Sequence, residues 1–201
     1  MVIDGIYYGL GFAAGGAAVW YFARPAFAFP LFVLALFCLY FFRDPERQIP
    51  DGAVAVSPAD GKLVSIHTDA AGASRISIFL NIFDVHVNRS PIAGRIANVE
   101  YTKGQFLVAS REIASSENER NTVTIEADGT RVGFSQIAGL IARRIVFTKK
   151  LGDQVAKGER VGLIKFGSRV DVFLGPDWDI TVKVGEHVSG GSSVLARKRQ
   201  A

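Results

Sequence analysis

Lys150-Leu-Gly-Asp-Gln-Val-Ala-Lys-Gly-Glu-Arg-Val161 recurs 33 residues later as Lys183-Val-Gly-Glu-His-Val-Ser-Gly-Gly-Ser-Ser-Val194, with Gly152/Gly185, Asp153/Glu186, Val155/Val188, Gly158/Gly191 and Val161/Val194 in register. A glycine, an acid, an apolar residue and a second glycine at this spacing describe a tight turn, because glycine enters the left-handed region without a Cβ clash. The two copies are expected to fold alike. Outward from them, beginning at residue 49, short apolar runs alternate with Gly, Pro, Asn and Asp. That punctuation predicts strands over 54–57, 61–67, 75–80, 94–101, 121–126, 131–137, 161–165, 170–174 and 194–197. The stretch 106–121 is the most polar and reads as a loop over the active-site side or a short helix, while 137–144 fits no single pattern. Some 150 residues are enough for one compact core.

The paired turns resemble those of biotinyl/lipoyl-type barrel-sandwich domains. The expected fold class is mainly β (α+β): a barrel-sandwich-like β domain over 46–201 preceded by an apolar helical membrane anchor over 1–45. A carrier or membrane-adaptor module of that architecture is one functional reading. A carrier needs a lysine to modify at an exposed hairpin tip, flanked by Met or by Asp and Ala, and no such tripeptide is present.

Residues 5–23 and 26–42 are apolar and are interrupted only by Arg24-Pro25. Each approaches the roughly 20 residues that cross a bilayer, so the pair is expected to form two short spans or a re-entrant hairpin, with Pro25 and Pro30 interrupting helix geometry. Met-Val-Ile-Asp lacks the basic start of a signal peptide. Asp4 and Arg24 cancel within 1–42, so the whole formal charge of +4 belongs to 43–201. Arg43 and Arg47 follow the second apolar run, and under the positive-inside rule they place the rest of the chain in the cytoplasm, against the anionic leaflet of the cell membrane. The Lys and Arg residues are scattered rather than clustered, which argues against nucleic acid as a partner. The only cysteine, Cys38, excludes a disulfide or a cysteine-built metal site within one chain.

One dipeptide carries distinctive chemistry. In Lys165-Phe-Gly-Ser-Arg169, Gly167 presents a carbonyl without a neighbouring Cβ, and the Ser168 hydroxyl lies on its C-terminal side. Attack converts the peptide to an ester, elimination leaves dehydroalanine, and hydrolysis leaves a pyruvoyl group at the head of the new fragment. Such a serine needs a base, and the base needs an orienting acid. The chain has three histidines. His67 ends a strand and His187 occupies a repeat turn, which suits solvent exposure for both. His86 lies in Ile82-Phe-Asp-Val-His-Val-Asn-Arg-Ser-Pro91, where alternation suggests a strand ending at a proline turn. The acid candidate is Asp60, in Val56-Ser-Pro-Ala-Asp-Gly-Lys62.

These pieces together resemble the phosphatidylserine decarboxylase family, in particular its short, membrane-anchored branch. The resemblance rests on Phe41-Phe-Arg-Asp-Pro-Glu-Arg47, Ser57-Pro-Ala-Asp-Gly61, Val85-His86 with Asn88-Arg89 and Pro91, Asn118-Glu-Arg-Asn121, Gln136-Ile-Ala-Gly-Leu-Ile-Ala-Arg-Arg144 and Phe166-Gly-Ser-Arg169, in family order. It implies autocatalytic cleavage between Gly167 and Ser168 into a β chain, 1–167, and an α chain, 168–201, that begins with pyruvoyl. It implies a self-cleavage triad of Asp60, His86 and Ser168, a Schiff base between the pyruvoyl and phosphatidylserine, and release of CO2 and phosphatidylethanolamine. It implies no metal and no pyridoxal phosphate, and homodimers are frequent in the family.

The chain departs from the family pattern twice. Phe-Gly-Ser-Arg stands where many members have Leu-Gly-Ser-Thr, which makes Arg169 a candidate for the substrate's phosphate or carboxylate. Phe83 stands where longer members carry a second histidine, three residues before His86, which assigns the proton delivered after CO2 loss to His86 or water and puts Phe83 beside the substrate. A pyruvoyl enzyme acting on a soluble amino acid is the remaining alternative, and the apolar N-terminus argues against it.

Overall fold

The computed structural model describes residues 2–127, 129–140, 144–165 and 168–199. The chain forms two compact units, Met1–Glu46 and Arg47–Ala201.

The first unit is a helical hairpin of α1 (Ile3–Phe22) and α2 (Pro25–Phe41). Glycines let the helices approach: a Cβ at Gly5 would stand 2.4 Å from Phe42 Cβ, and one at Gly9 would stand 2.9 Å from Leu39. Pro25 takes the first turn of α2, where its missing N–H costs nothing, and the helix continues through Pro30 rather than breaking there. Among the described residues no helix is long and apolar enough to cross a membrane, which corrects the expectation of spanning segments. The physical reason lies in length and composition. The 17 residues of α2 reach only about 26 Å against a hydrocarbon core of about 30 Å, and α1 dilutes its apolar content with Asp4, Tyr7, Tyr8, Trp20 and several glycines.

The second unit is mainly β. Its strands are β1 (Val54–Val56), β2 (Gly61–Thr68), β3 (Ser74–Leu80), β4 (Val87–Arg89), β5 (Gly94–Thr102), β6 (Arg120–Ala127) and β7 (Thr130–Ile137). They continue as β8 (Arg144–Phe147), β9 (Gln154–Val155), β10 (Arg160–Lys165), β11 (Ser168–Leu174), β12 (Trp178–Ile180), β13 (His187–Val188) and β14 (Val194–Lys198), with one short helix, α3 (Ala114–Glu117). An eight-stranded antiparallel sheet, ordered β13-β2-β3-β11-β7-β6-β5-β9, curls into a half-barrel, and the sheets β1-β14-β12 and β4-β10-β8 complete the unit. Ile76, Ile78, Leu80, Val132, Phe134, Val170 and Val172 fill the core.

The two repeat copies do fold alike. Each gives a two-residue strand, a turn and a longer strand, and all four register glycines have positive φ, between 75° and 95°. β13 lies on the start of β2 and β9 on the start of β5. The pairing is duplicated in detail: Leu63 N–H donates to Glu186 O and Gly185 N–H to Leu63 O, just as Ile96 N–H donates to Asp153 O and Gly152 N–H to Ile96 O. The 33-residue offset therefore extends beyond the turns to Ser57-Pro58/Ser90-Pro91, Gly61/Gly94 and Lys62/Arg95. Ser57 and Ser90 make the same hydrogen bond, each donating to the carbonyl two residues on at 2.6 Å. The unit is a pseudo-duplicate whose halves meet at β11 and β7, the middle of the large sheet.

Candidate active site

Ser168 is the first residue of β11 and lies opposite Leu80, the last residue of β3. Side chains alternate across a strand, so Ser168 shares the inner face with Val170 and Val172, while Arg169 and Asp171 face the other way. Ser168 is fully buried, and its Oγ has no hydrogen-bond partner among the described residues. Leaving a buried hydroxyl unsatisfied costs about 1–3 kcal/mol, so a purely structural role would favour alanine there. Gly167, the other half of the expected cleavage site, lies outside the described residues.

The six residues 81–86 join β3 to β4, and both ends of this loop are pinned beside the Ser168 segment. Its start follows Leu80, opposite Ser168. Its end, His86, accepts at its carbonyl the amide of Ile164, four residues before Ser168. Inside the loop, Phe83 N–H donates to Asn81 Oδ1 at 2.8 Å, and Asn81 N–H donates to Asp84 Oδ2 at 2.8 Å. His86 is buried, and its Nδ1 lies 2.9 Å from Asp84 O. A carbonyl can only accept, so Nδ1 carries the proton and Nε2 is left as the basic nitrogen. Phe83, at the exposed outer part of the loop, is 62% accessible.

Asp60 is placed differently from the simplest triad. Its carboxylate is gripped by Arg47 at 2.9 and 2.7 Å and receives the Gly190 amide at 2.7 Å. Among the described residues its hydrogen bonds go to these two partners and not to His86, whose Nδ1 is held by a backbone carbonyl instead. The segment carrying Asp60 nonetheless runs beside β4, since Arg89 N–H donates to Pro58 O and Val56 N–H to Pro91 O.

Arg169 is wholly buried on the outer face. It donates from Nε to Asp171 Oδ1 at 2.6 Å, and from its terminal nitrogens to Ser77 Oγ, Glu112 Oε2 and Arg111 O. Arg169 and Ser168 thus point to opposite sides of one strand, and a substrate contact for Arg169 would have to displace these partners. α3 and the residues before it fold over that outer face: Glu112 meets Arg169, Arg75 and His67, and Ser115 donates to Asp171. The polar stretch 106–121 is therefore partly helical, and it ties itself to the cation next to Ser168.

Burial pushes the Glu112 carboxyl up, but the hydrogen bond and charge of Arg169, reinforced by Arg75 and His67, outweigh it and hold the group below the usual carboxylate range. A carboxyl depressed on folding stabilises the fold above its unfolded pKa, and that contribution is lost as pH falls through the lower folded value. Protection of the amides over 106–118, taken relative to their intrinsic exchange, is accordingly expected to fall as pH drops below about 4, and Glu112→Gln should abolish that acid-induced loss.

An open concavity of about 590 Å3 is lined by His67, Arg75, Arg131, Phe173 and Gly175, at the opposite end of β11 from Ser168. The structure thus sets Ser168 against Leu80, where the loop leading to His86 begins, on the buried inner face of β11, and Ser168 Oγ is hydrogen-bonded to neither His86 nor Asp60. His187 was expected to be a solvent-exposed turn residue, and Asp84 was not singled out. The structure brings them together, with His187 Nε2 3.2 Å from Asp84 Oδ1.

Residues 34–196 match the family model described as phosphatidylserine decarboxylase. The chain is 64% identical over 198 residues to a phosphatidylserine decarboxylase proenzyme of Solibacter usitatus, covering 98% of this chain and 97% of that one. It is 47% identical to the proenzyme of Erythrobacter litoralis, covering 96% and 86%, and 50% identical to that of Nitratidesulfovibrio vulgaris, covering 83% and 80%.

Proposed function

The chain belongs to the phosphatidylserine decarboxylase family, and from that premise we propose that it cleaves itself between Gly167 and Ser168 and then removes CO2 from phosphatidylserine to give phosphatidylethanolamine. The observation that carries the proposal is a buried, unsatisfied Ser168 Oγ at the head of β11, beside a loop that presents a tautomerically fixed His86.

His86 Nε2 takes the hydroxyl proton as Ser168 Oγ attacks the Gly167 carbonyl, and the N–C bond yields to an ester. Loss of the Ser168 α-proton expels the Gly167 carboxylate and leaves a dehydroalanyl end, whose hydrolysis releases ammonia and leaves the pyruvoyl. Asp60, locked to Arg47 and the Gly190 amide, fixes the turn beside β4 and adds negative potential for the imidazolium that forms. The setting fits the group. Leu80 and Val170 flank the Ser168 position on the inner face and exclude bulk water, and pairing with β3 at Ser168, joined by β7 from Arg169 on, holds the backbone. The pyruvoyl supplies an electron sink for an amine-bearing carbon as its carboxylate departs. His86, which has already moved a proton during cleavage, remains the residue placed to return one to the product.

The hairpin meets the substrate's phase. Tyr7, Leu10, Phe22, Phe27, Phe29 and Leu36 stay largely exposed on α1 and α2. We read this surface as lying within one leaflet rather than crossing the bilayer, with the basic charge of 43–201 facing anionic headgroups on the cytoplasmic side. CO2 release from phosphatidylserine vesicles should exceed release from free serine by at least about 100-fold in kcat/KM, because free serine lacks the remote phosphate and glyceride contacts whose binding energy positions the carboxylate. Comparable turnover of a soluble amino acid would reassign the substrate class.

A further inference from the structure

His187 belongs to the segment that becomes the small chain, and its backbone is fixed by pairing with Lys62 at the edge of the large sheet. Its ring is more than half exposed, yet Nε2 reaches 3.2 Å to Asp84 Oδ1, whose side chain is only 9% accessible. The other oxygen of that carboxylate takes the Asn81 amide at the start of the loop, and the carbonyl of the same residue takes His86 Nδ1. Asp84 therefore holds the loop at both ends, and His187 is the side chain that reaches across from a different strand to hold Asp84. The internal duplication makes the contact specific. Gln154 stands at the equivalent position of the other copy, where the backbone pairing is the same.

We propose that His187 is a positioning residue for self-cleavage: by donating from Nε2 to Asp84 it sets the Asp84 carbonyl that orients His86, and so presents the basic nitrogen of His86 to Ser168. A carboxylate can only accept when ionised, so this contact fixes the proton on His187 Nε2. After cleavage the same contact ties the small chain to the loop of the large one. The inference rests on the reading of His86 as the base.

The test follows the rate of self-cleavage of the newly synthesised full chain by denaturing electrophoresis. His187→Ala should slow cleavage about tenfold, the size expected for a lost coupling of one contact. His187→Gln should recover to within about threefold of wild type, because an amide N–H can donate to the same carboxylate and glutamine is the residue of the equivalent turn. Asp84→Asn should slow cleavage, and the double variant Asp84→Asn/His187→Ala should be no slower than Asp84→Asn alone. An effect of His187 that does not run through Asp84 would add in the double variant and would not be rescued by glutamine, so either of those results overturns the proposal, as does a wild-type rate for His187→Ala. His86→Ala separates the two ideas. If it cuts normally, the base assignment fails; if it stays uncut while His187→Ala cuts normally, only the positioning role fails.

Discussion

Purified protein is expected to separate under denaturing conditions into a chain of 167 residues and a chain of 34, residues 168–201, with a blocked amino terminus on the shorter, while Ser168→Ala remains a single chain of 201. The effect is all or none because no other atom can replace the attacking oxygen. Thr and Ser hydroxyls elsewhere are on the surface or engaged: Ser77 receives Arg169, Ser57 donates to Ala59, and Ser115 donates to Asp171. Ser168 Oγ has no such engagement among the described residues. The alanine variant should also fold, and fold somewhat more stably, since it removes a buried unsatisfied hydroxyl and keeps the β11 pairings with β3 and β7. Intact mass distinguishes the outcomes. A wild-type chain that stays whole yet decarboxylates the lipid would remove the pyruvoyl route, and a whole chain without activity would return attention to the carrier-like architecture of the repeat turns.

Much of this arrangement is legible in the sequence, for reasons that differ by element. The long strands announce themselves because one face is apolar and their ends carry glycine or polar punctuation, so 61–67, 75–80, 94–101 and 131–137 anticipate β2, β3, β5 and β7 to within about two residues. β9 and β13 are too short for periodicity and exist because the repeat turns lay them against β2 and β5. The spanning reading of the apolar segments fails where apolar content alone stands in for length. Among the candidate residues, Ser168 and His86 are visible because a Gly-Ser pair and a scarce histidine are chemically distinctive. Asp84 and His187 are not, because their contact joins positions about a hundred residues apart. For His187 the signal that could find it is a break in the 33-residue repeat. Asp60 replaces Ala93 and His187 replaces Gln154, while the surrounding Ser, Pro and Gly positions keep their identity.

His86→Ala is expected to reduce the rate of self-cleavage by about 100-fold to 10,000-fold, the range contributed by a positioned base, with the precursor accumulating as one chain. The argument turns on proton bookkeeping. A neutral serine hydroxyl is a poor nucleophile, and its proton must leave as the bond to the Gly167 carbonyl forms. The hydrogen bond from Nδ1 to Asp84 O commits that nitrogen as a donor and leaves Nε2 able to accept. Of the other histidines, His67 is exposed beside Glu112 on the outer side and His187 is turned to Asp84, so neither can substitute. Asp60→Asn should slow cleavage by a smaller factor, because the amide keeps a partner for the Gly190 N–H but loses the charge that holds Arg47 and favours the imidazolium. Exogenous imidazole provides the decisive arm. If the cavity left by alanine admits it, cleavage of His86→Ala should recover with imidazole concentration and follow its ionisation, whereas Ser168→Ala should not respond at all. Normal processing of His86→Ala without any added base would mean that the Ser168 proton leaves by another route, and the base assignment would be withdrawn.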